Sequence, residues 1–172
     1  FIKIFPSKAF ALSNLDDEYG KKMLENIKAR KFSYGFKNNA DFKGKILKLG
    51  FSGLELEIDG KYLPAGKQVE SKLLGKFNAY NLLAVWSACK LLGFDMEKVK
   101  KILEKIEPPR GRFEHFISKN NVTVIVDYAH TSDALEKILK AVSELKSSEN
   151  KLIAVFGCGG DRDKTKRPIM AK

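Results

Sequence analysis

Apolar positions along the chain recur with two different periods, and the switches between them mark out its elements. Ala9-Phe10-Ala11-Leu12-Ser13 reads as a short buried strand running into Asn14-Leu15-Asp16-Asp17. After it, Met23, Leu24 and Ile27 fall at helical spacing and predict a helix over residues 18–29. Between residues 31 and 75 the pattern shortens to alternating runs at 32–36, 45–49 and 54–58, set apart by Gly44, Gly50, Gly53, Gly60 and Gly66, as expected of hairpins. Two helices follow. Leu82, Val85, Trp86, Cys89 and Leu92 share a face of the first, which Gly93 ends. Met96, Val99, Ile102, Leu103 and Ile106 share a face of the second, which Pro108-Pro109 stop.

Two successive prolines forbid helix and stiffen the chain, so Pro108-Pro109-Arg110-Gly111 predicts a boundary between a domain of residues 1–109 and another of residues 110–172. Val122-Thr123-Val124-Ile125-Val126 is a β-branched run typical of a strand covered on both faces. A polar turn leads from it to a helix with Leu135, Ile138, Leu139, Val142 and Leu145 facing inward and Asp133 and Glu136 spaced for a capping box. Leu152-Ile153-Ala154-Val155-Phe156 repeats the strand, a glycine-rich loop follows over residues 157–163, and Pro168 suits the first turn of another helix. Two β-loop-α units in a row imply parallel strands and an α/β fold. Such sheets bind ligands beyond the carboxyl ends of their strands, which singles out Asp127-Tyr128-Ala129-His130-Thr131 and the loop from Gly157 to Asp163.

Composition narrows the class. No apolar run approaches the length of a membrane helix and the start is too short for a secretory signal, so a cytoplasmic protein with no membrane partner is expected. Cys89 and Cys158 are too few for a disulfide scaffold and lack metal-ligand spacing, and His115 and His130 stand apart; no metal site is expected within the chain. A net charge of +11 raises the question of a polyanion partner. Only five of the 32 basic residues are arginine, and the lysines are scattered instead of forming a stripe, so no nucleic-acid partner is expected; a polyanion-binding module remains the alternative. The chain begins at Phe1 and stops inside an opening helix, as a piece of a longer protein would.

The glycine loop fails the dinucleotide fingerprint, because Arg162 stands where Gly or Ala is needed. Its glycines, with Asp161, Arg162, Asp163, Lys166 and Arg167, admit either a tight turn or an anion site of backbone N–H and guanidinium groups. Residues 60–68 miss the P-loop pattern, having five residues between Gly60 and Gly66 and Gln68 in place of Ser or Thr. Asp127 and His130 could serve general-base or magnesium-linked chemistry, or Asp127 could cap a turn. Asn78 reads as a helix cap, while Asn81, a poor helix former inside the helix, reads as a side chain with a duty.

Taken together, Asn14-Leu15-Asp16-Asp17, Leu74-Gly75-Lys76-Phe77-Asn78-Ala79-Tyr80-Asn81-Leu82, Gly111-Arg112-Phe113-Glu114, Val126-Asp127-Tyr128-Ala129-His130-Thr131 and Phe156-Gly157-Cys158-Gly159-Gly160-Asp161-Arg162-Asp163 with Lys166-Arg167-Pro168 resemble the Mur ligases. The resemblance implies that residues 1–109 are the later part of a P-loop-type central ATPase domain and residues 110–172 the start of a Rossmann-like C-terminal domain, with the P-loop upstream. It implies ATP and Mg2+ as cofactors and ligation of meso-diaminopimelate to UDP-N-acetylmuramoyl-L-Ala-D-Glu, with lysine-adding and folylpolyglutamate synthetase-like ligases as alternatives. By the same resemblance Asn81, Arg112, Asp127 and His130 bind nucleotide and Arg162 binds a carboxylate of the incoming amino acid. Ser132 departs from the family, which usually has Pro there.

Overall fold

The computed structural model describes residues 9–63, 66–159 and 163–171, and the chain divides into two compact units, Phe1–Ile106 and Glu107–Lys172. The first is built on a five-stranded sheet whose spatial order follows the chain: β1 (Phe10–Asn14), β2 (Arg30–Gly35), β3 (Phe42–Gly50), β4 (Gly53–Gly60) and β5 (Lys67–Ser71). β1, β2 and β3 are parallel, while β3, β4 and β5 alternate in direction. The expected hairpins are therefore β3–β4 and β4–β5. Residues 32–36 are not a hairpin arm: β2 lies between two parallel neighbours, with Phe32 opposite Leu12 and Tyr34 opposite Phe42. Parallel neighbours normally need a long crossover. A short loop suffices between β2 and β3 because their pairing is confined to Tyr34–Phe42 and Gly35–Lys43, so the start of β3 lies beside the end of β2.

The first expected helix is shorter than its apolar spacing predicts. α1 covers Gly20–Leu24 alone, without a side-chain cap, and Met23 is exposed. Gly20 is obligatory, since a Cβ there would collide with the Asn14 carbonyl oxygen. α2 (Lys76–Leu91) packs across β1 to β4 and α3 (Met96–Leu103) against β5. Their apolar faces differ from the expected ones. Ala79, Leu82, Leu83 and Trp86 of α2 are buried against Phe42, Leu56, Ile58 and Val69, while Val85 and Leu92 face outward. In α3, Val99 and Leu103 are buried and Ile102 is exposed. A sheet covers only one stripe of a helix, so apolar residues at its flanks remain in solvent.

In the second unit β6 (Glu114–Ile117) and β7 (Thr123–Val126) form an antiparallel hairpin, followed by α4 (Ser132–Leu145) and α5 (Lys166–Met170). The expected parallel repeat is not formed among the described residues. Residues 152–156 make no ladder, and Ile153 and Val155 are 83% and 95% exposed. A strand exists only through a neighbour's backbone, and among the described residues β7 bonds to β6 alone. The cap of α4 also shifts: the Thr131 hydroxyl accepts from Ala134 N–H, at an extended backbone that suits an N-cap, and Asp133 instead pairs with Lys137 at 2.8 Å. No helix among the described residues is long and apolar enough to cross a membrane.

Candidate functional site

Arg112, Asp127 and His130 are brought together in the second unit by a turn ahead of β6 and the loop after β7. Arg112 N–H donates to the Pro109 carbonyl, and Gly111, at φ 67°, donates its N–H to Glu114 Oε2 at 2.8 Å. Phe113 is buried at φ 53°, a left-handed backbone that a bulky residue occupies only under strain. Its N–H donates to Asp127 Oδ2 at 2.8 Å, and Ala129 N–H donates to Asp127 Oδ1 at 2.8 Å. One carboxylate thus ties the two loops together. Both the turn-capping reading and a ligand role survive, because each oxygen retains acceptor capacity.

The Arg112 guanidinium lies 5.0 Å from the ring centre of exposed Tyr128, and Tyr128 meets His130 edge-on at 5.2 Å. His130 Nδ1 lies 3.1 Å from the Tyr128 carbonyl, and Lys166 Nζ donates to the His130 carbonyl at 3.3 Å. A cation stacked on an aromatic face beside a carboxylate, an imidazole and a lysine is chemistry suited to a nucleotide or another anion with a flat ring. Lys166, read from the sequence with the glycine loop, and Tyr128, read only as part of the strand-end loop, are joined to this group by the structure. The signal available for Tyr128 was an aromatic side chain placed in a strand-end loop.

Asn81 lies in the first unit, exposed on α2. Its Nδ2 donates to Asn78 Oδ1 at 3.1 Å, and Asn78 Nδ2 donates to the Leu74 carbonyl at 2.8 Å. Asn78 is therefore not the N-cap. That position belongs to Gly75 at φ 87°, which offers no side-chain cap. Among the described residues Asn81 Oδ1 accepts nothing and remains open to a ligand donor. Arg162, with Gly160 and Asp161, lies outside the described residues; Gly157, Cys158 and Gly159 of the same loop are described, with Cys158 Sγ 3.6 Å from Met170 Sδ. No group of three or more metal-ligating side chains gathers among the described residues.

A further polar node, unassigned by sequence reasoning, sits at the carboxyl ends of β1 and β2. Asp16 Oδ2 accepts from Phe36 N–H at 2.6 Å, Lys37 N–H at 3.0 Å and the Tyr80 hydroxyl at 2.9 Å. Its Oδ1 accepts from Asn38 N–H at 3.0 Å and Asn38 Nδ2 at 2.9 Å. Gly35 permits the approach, because a Cβ would press within 3.1 Å of the carboxylate. Burial acts to raise the Asp16 pKa, but the N–H groups of Phe36, Lys37 and Asn38 and the Tyr80 hydroxyl outweigh it and hold it at about 2. Burial, then the bond to Asp16 and its charge, push Tyr80 up to about 12.

The folded carboxyl titrates below its ordinary value of 3.8, so its contribution is present above about pH 4 and lost as pH falls through about 2. Allowing for partial solvent screening, that contribution is about 1–2 kcal/mol. Denaturation between pH 4 and pH 2 should show this loss in the native chain and lack it in Asp16→Asn. An identical acid limb in both would place the titration elsewhere.

Residues 1–89 match the Mur ligase middle domain family, and residues 111–172 match the family described as Mur ligase, glutamate ligase domain. A UDP-N-acetylmuramoyl-L-alanyl-D-glutamate--2,6-diaminopimelate ligase of Cytophaga hutchinsonii is 48% identical over 99% of this chain and 34% of its own length. One of Clostridium acetobutylicum is 40% identical over 98% of this chain and 35% of its own length. A solved structure of a ligase of the same description superposes with a TM-score of 0.67 at 34% identity, covering 94% of this chain and 34% of that one. A MurF ligase from Thermotoga maritima, solved in complex with ADP, shares the fold at a TM-score of 0.65 and 18% identity, over 83% of this chain and 32% of that one. The chain thus spans about a third of the length of the relatives it matches.

Proposed function

This chain belongs to the Mur ligase family, and on that footing we propose that it forms part of a cytoplasmic, ATP-dependent ligase of peptidoglycan precursor synthesis. The enzyme joins meso-diaminopimelate to UDP-N-acetylmuramoyl-L-Ala-D-Glu. The observation that carries the reading is 48% identity, over 99% of the chain, to a relative named for that reaction. Residues 1–109 are the later part of its central ATPase domain, and residues 110–172 begin the C-terminal domain that brings the amino acid.

In this reaction the terminal carboxylate of the UDP-linked dipeptide takes the γ-phosphoryl group of ATP and ADP departs. The amine of diaminopimelate then attacks the acyl carbon, and phosphate leaves as the amide forms. Magnesium, when bound, would supply positive charge to the transferring phosphoryl group, and its ligands would come from outside the described residues of this chain. Asn81 offers its open Oδ1 to the adenine amino group. Arg112 lies against the nucleotide from a guanidinium already stacked on Tyr128, so less side-chain freedom is lost on binding. Asp127 and His130 meet the ribose and phosphate region, and Arg162 holds a carboxylate of diaminopimelate.

The test is phosphate release by the whole protein containing this chain, given ATP, magnesium and UDP-N-acetylmuramoyl-L-Ala-D-Glu, with meso-diaminopimelate or L-lysine offered in parallel. Turnover with diaminopimelate alone is expected. Turnover with lysine alone would keep the ligase and remove the proposed amino acid, and a folded protein silent with both would sink the ligase reading.

A further inference from the structure

α2 begins without a side-chain cap, since Gly75 supplies none, and it is seated on the sheet by Ala79, Leu82, Leu83 and Trp86. Apolar packing holds a helix to a surface, but it is non-directional and leaves the rotation about the helix axis weakly specified. A directional contact from this turn to the loop after β1 is the bond from the Tyr80 hydroxyl to Asp16 Oδ2. Asp16 is itself fixed by backbone N–H groups from three successive residues, Phe36, Lys37 and Asn38, so the acceptor is as rigid as the sheet that carries it. The Tyr80 ring also meets Phe36 edge-on at 4.7 Å, which limits its swing. Asn81 follows Tyr80 in the same helical turn, and its carboxamide is steadied by Asn78.

We propose that the Tyr80–Asp16 hydrogen bond is a positioning device for nucleotide binding: it sets the rotation of α2 and thereby the place of Asn81 Oδ1. The inference rests on the nucleotide role proposed above for Asn81. In this role Tyr80 and Asp16 act through Asn81 and not by a contact of their own. The elevated pKa of Tyr80, about 12, keeps its hydroxyl a donor throughout the neutral range. The hydroxyl is the donor in this bond, because an ionised carboxylate only accepts. The strand-end loops carrying Asp16 and Phe36 lie where parallel sheets place their ligands, so the device joins the sheet's binding edge to the helix that presents Asn81.

The experiment uses the whole protein containing this chain in four forms: native, Tyr80→Phe, Asn81→Ala and the double variant. Tyr80→Phe keeps the ring against Phe36 and removes only the hydroxyl. It is expected to raise the KM for ATP by about ten-fold, the equivalent of one hydrogen bond, with kcat and the KM for the amino acid unchanged. Asn81→Ala should raise the KM for ATP by at least as much. In the double variant the loss of the hydroxyl should then add nothing, since it acts through a side chain already gone. An unchanged KM for ATP in Tyr80→Phe, beside a raised one in Asn81→Ala, overturns the positioning role and leaves the nucleotide reading standing. Fully additive effects in the double variant overturn it as well, because the hydroxyl would then act by another route. If Asn81→Ala itself leaves the KM for ATP unmoved, Asn81 is not a nucleotide contact, and the inference falls with it.

Discussion

Replacing Trp86 with alanine is expected to remove about 3–5 kcal/mol from the stability of the first unit. Trp86 is 1% exposed, and it stands on the face of α2 that packs with Ala79, Leu82 and Leu83 over Phe42, Leu56 and Ile58. Its removal takes the largest buried side chain out of this layer and leaves a cavity that the strands cannot close. Domains of ordinary size are stable by only about 5–15 kcal/mol, so the variant would stand close to unfolding. The single tryptophan disappears as a fluorophore in this variant, so the measurement is urea denaturation followed by circular dichroism. The midpoint should fall with the slope unchanged. Trp86→Phe should cost much less. Among the described residues Trp86 Nε1 has no partner, and a phenylalanine there gives up volume but also removes that unsatisfied donor. Equal losses in the two variants would mean that the cost does not follow the volume removed.

The second large effect is functional. Replacing Arg162 with alanine in the whole protein should raise the KM for diaminopimelate with little change in the KM for ATP. Truncating one partner of a hydrogen-bonded charge pair costs about 2–5 kcal/mol, so the KM should rise by roughly thirty-fold to several thousand-fold. Arg162→Lys should recover only part of this, because an ammonium keeps the charge and loses the two parallel bonds a guanidinium makes to a carboxylate. The check is initial rates against diaminopimelate concentration at saturating ATP. An unmoved KM would remove Arg162 from the amino-acid site.

Local pattern disclosed much of this fold and the physics of pairing hid the rest. The runs that became β2, β3 and β4 and the helices α2 and α3 were legible because alternation and helical spacing are properties of a short stretch, whereas β5 carried no run that marked it. Whether β2 pairs in parallel or antiparallel was not, since its neighbours lie outside its own run and the deciding contact is a two-residue register with β3. Thr131 and Asp133 both look like caps on paper. The choice between them is made by backbone angles, which put Thr131 at the helix entrance. In the candidate site, Asn81, Arg112, Asp127 and His130 were marked by motif and by their places at strand ends or in a helix. Asp16 and Tyr80 stood inside motif stretches without a role, because the bond that joins them spans 64 positions. Leu152-Ile153-Ala154-Val155-Phe156 shows the converse: its composition suits a strand, and composition supplies no partner.

That apolar run, with Ile153 and Val155 almost fully in solvent, bears on how these 172 residues behave at high concentration. Five uncharged residues whose backbone pairs with no other strand among the described residues, and which contain no proline, are a template onto which another copy can add a strand. The +11 net charge keeps copies apart while ionic strength is low. That repulsion reaches about 10 Å in 0.1 M salt and about 3 Å in 1 M salt, less than the spacing between paired strands. The colloidal state of the isolated polypeptide is therefore governed by salt as much as by protein concentration, with dilute buffer favouring single chains and concentrated salt favouring their assembly.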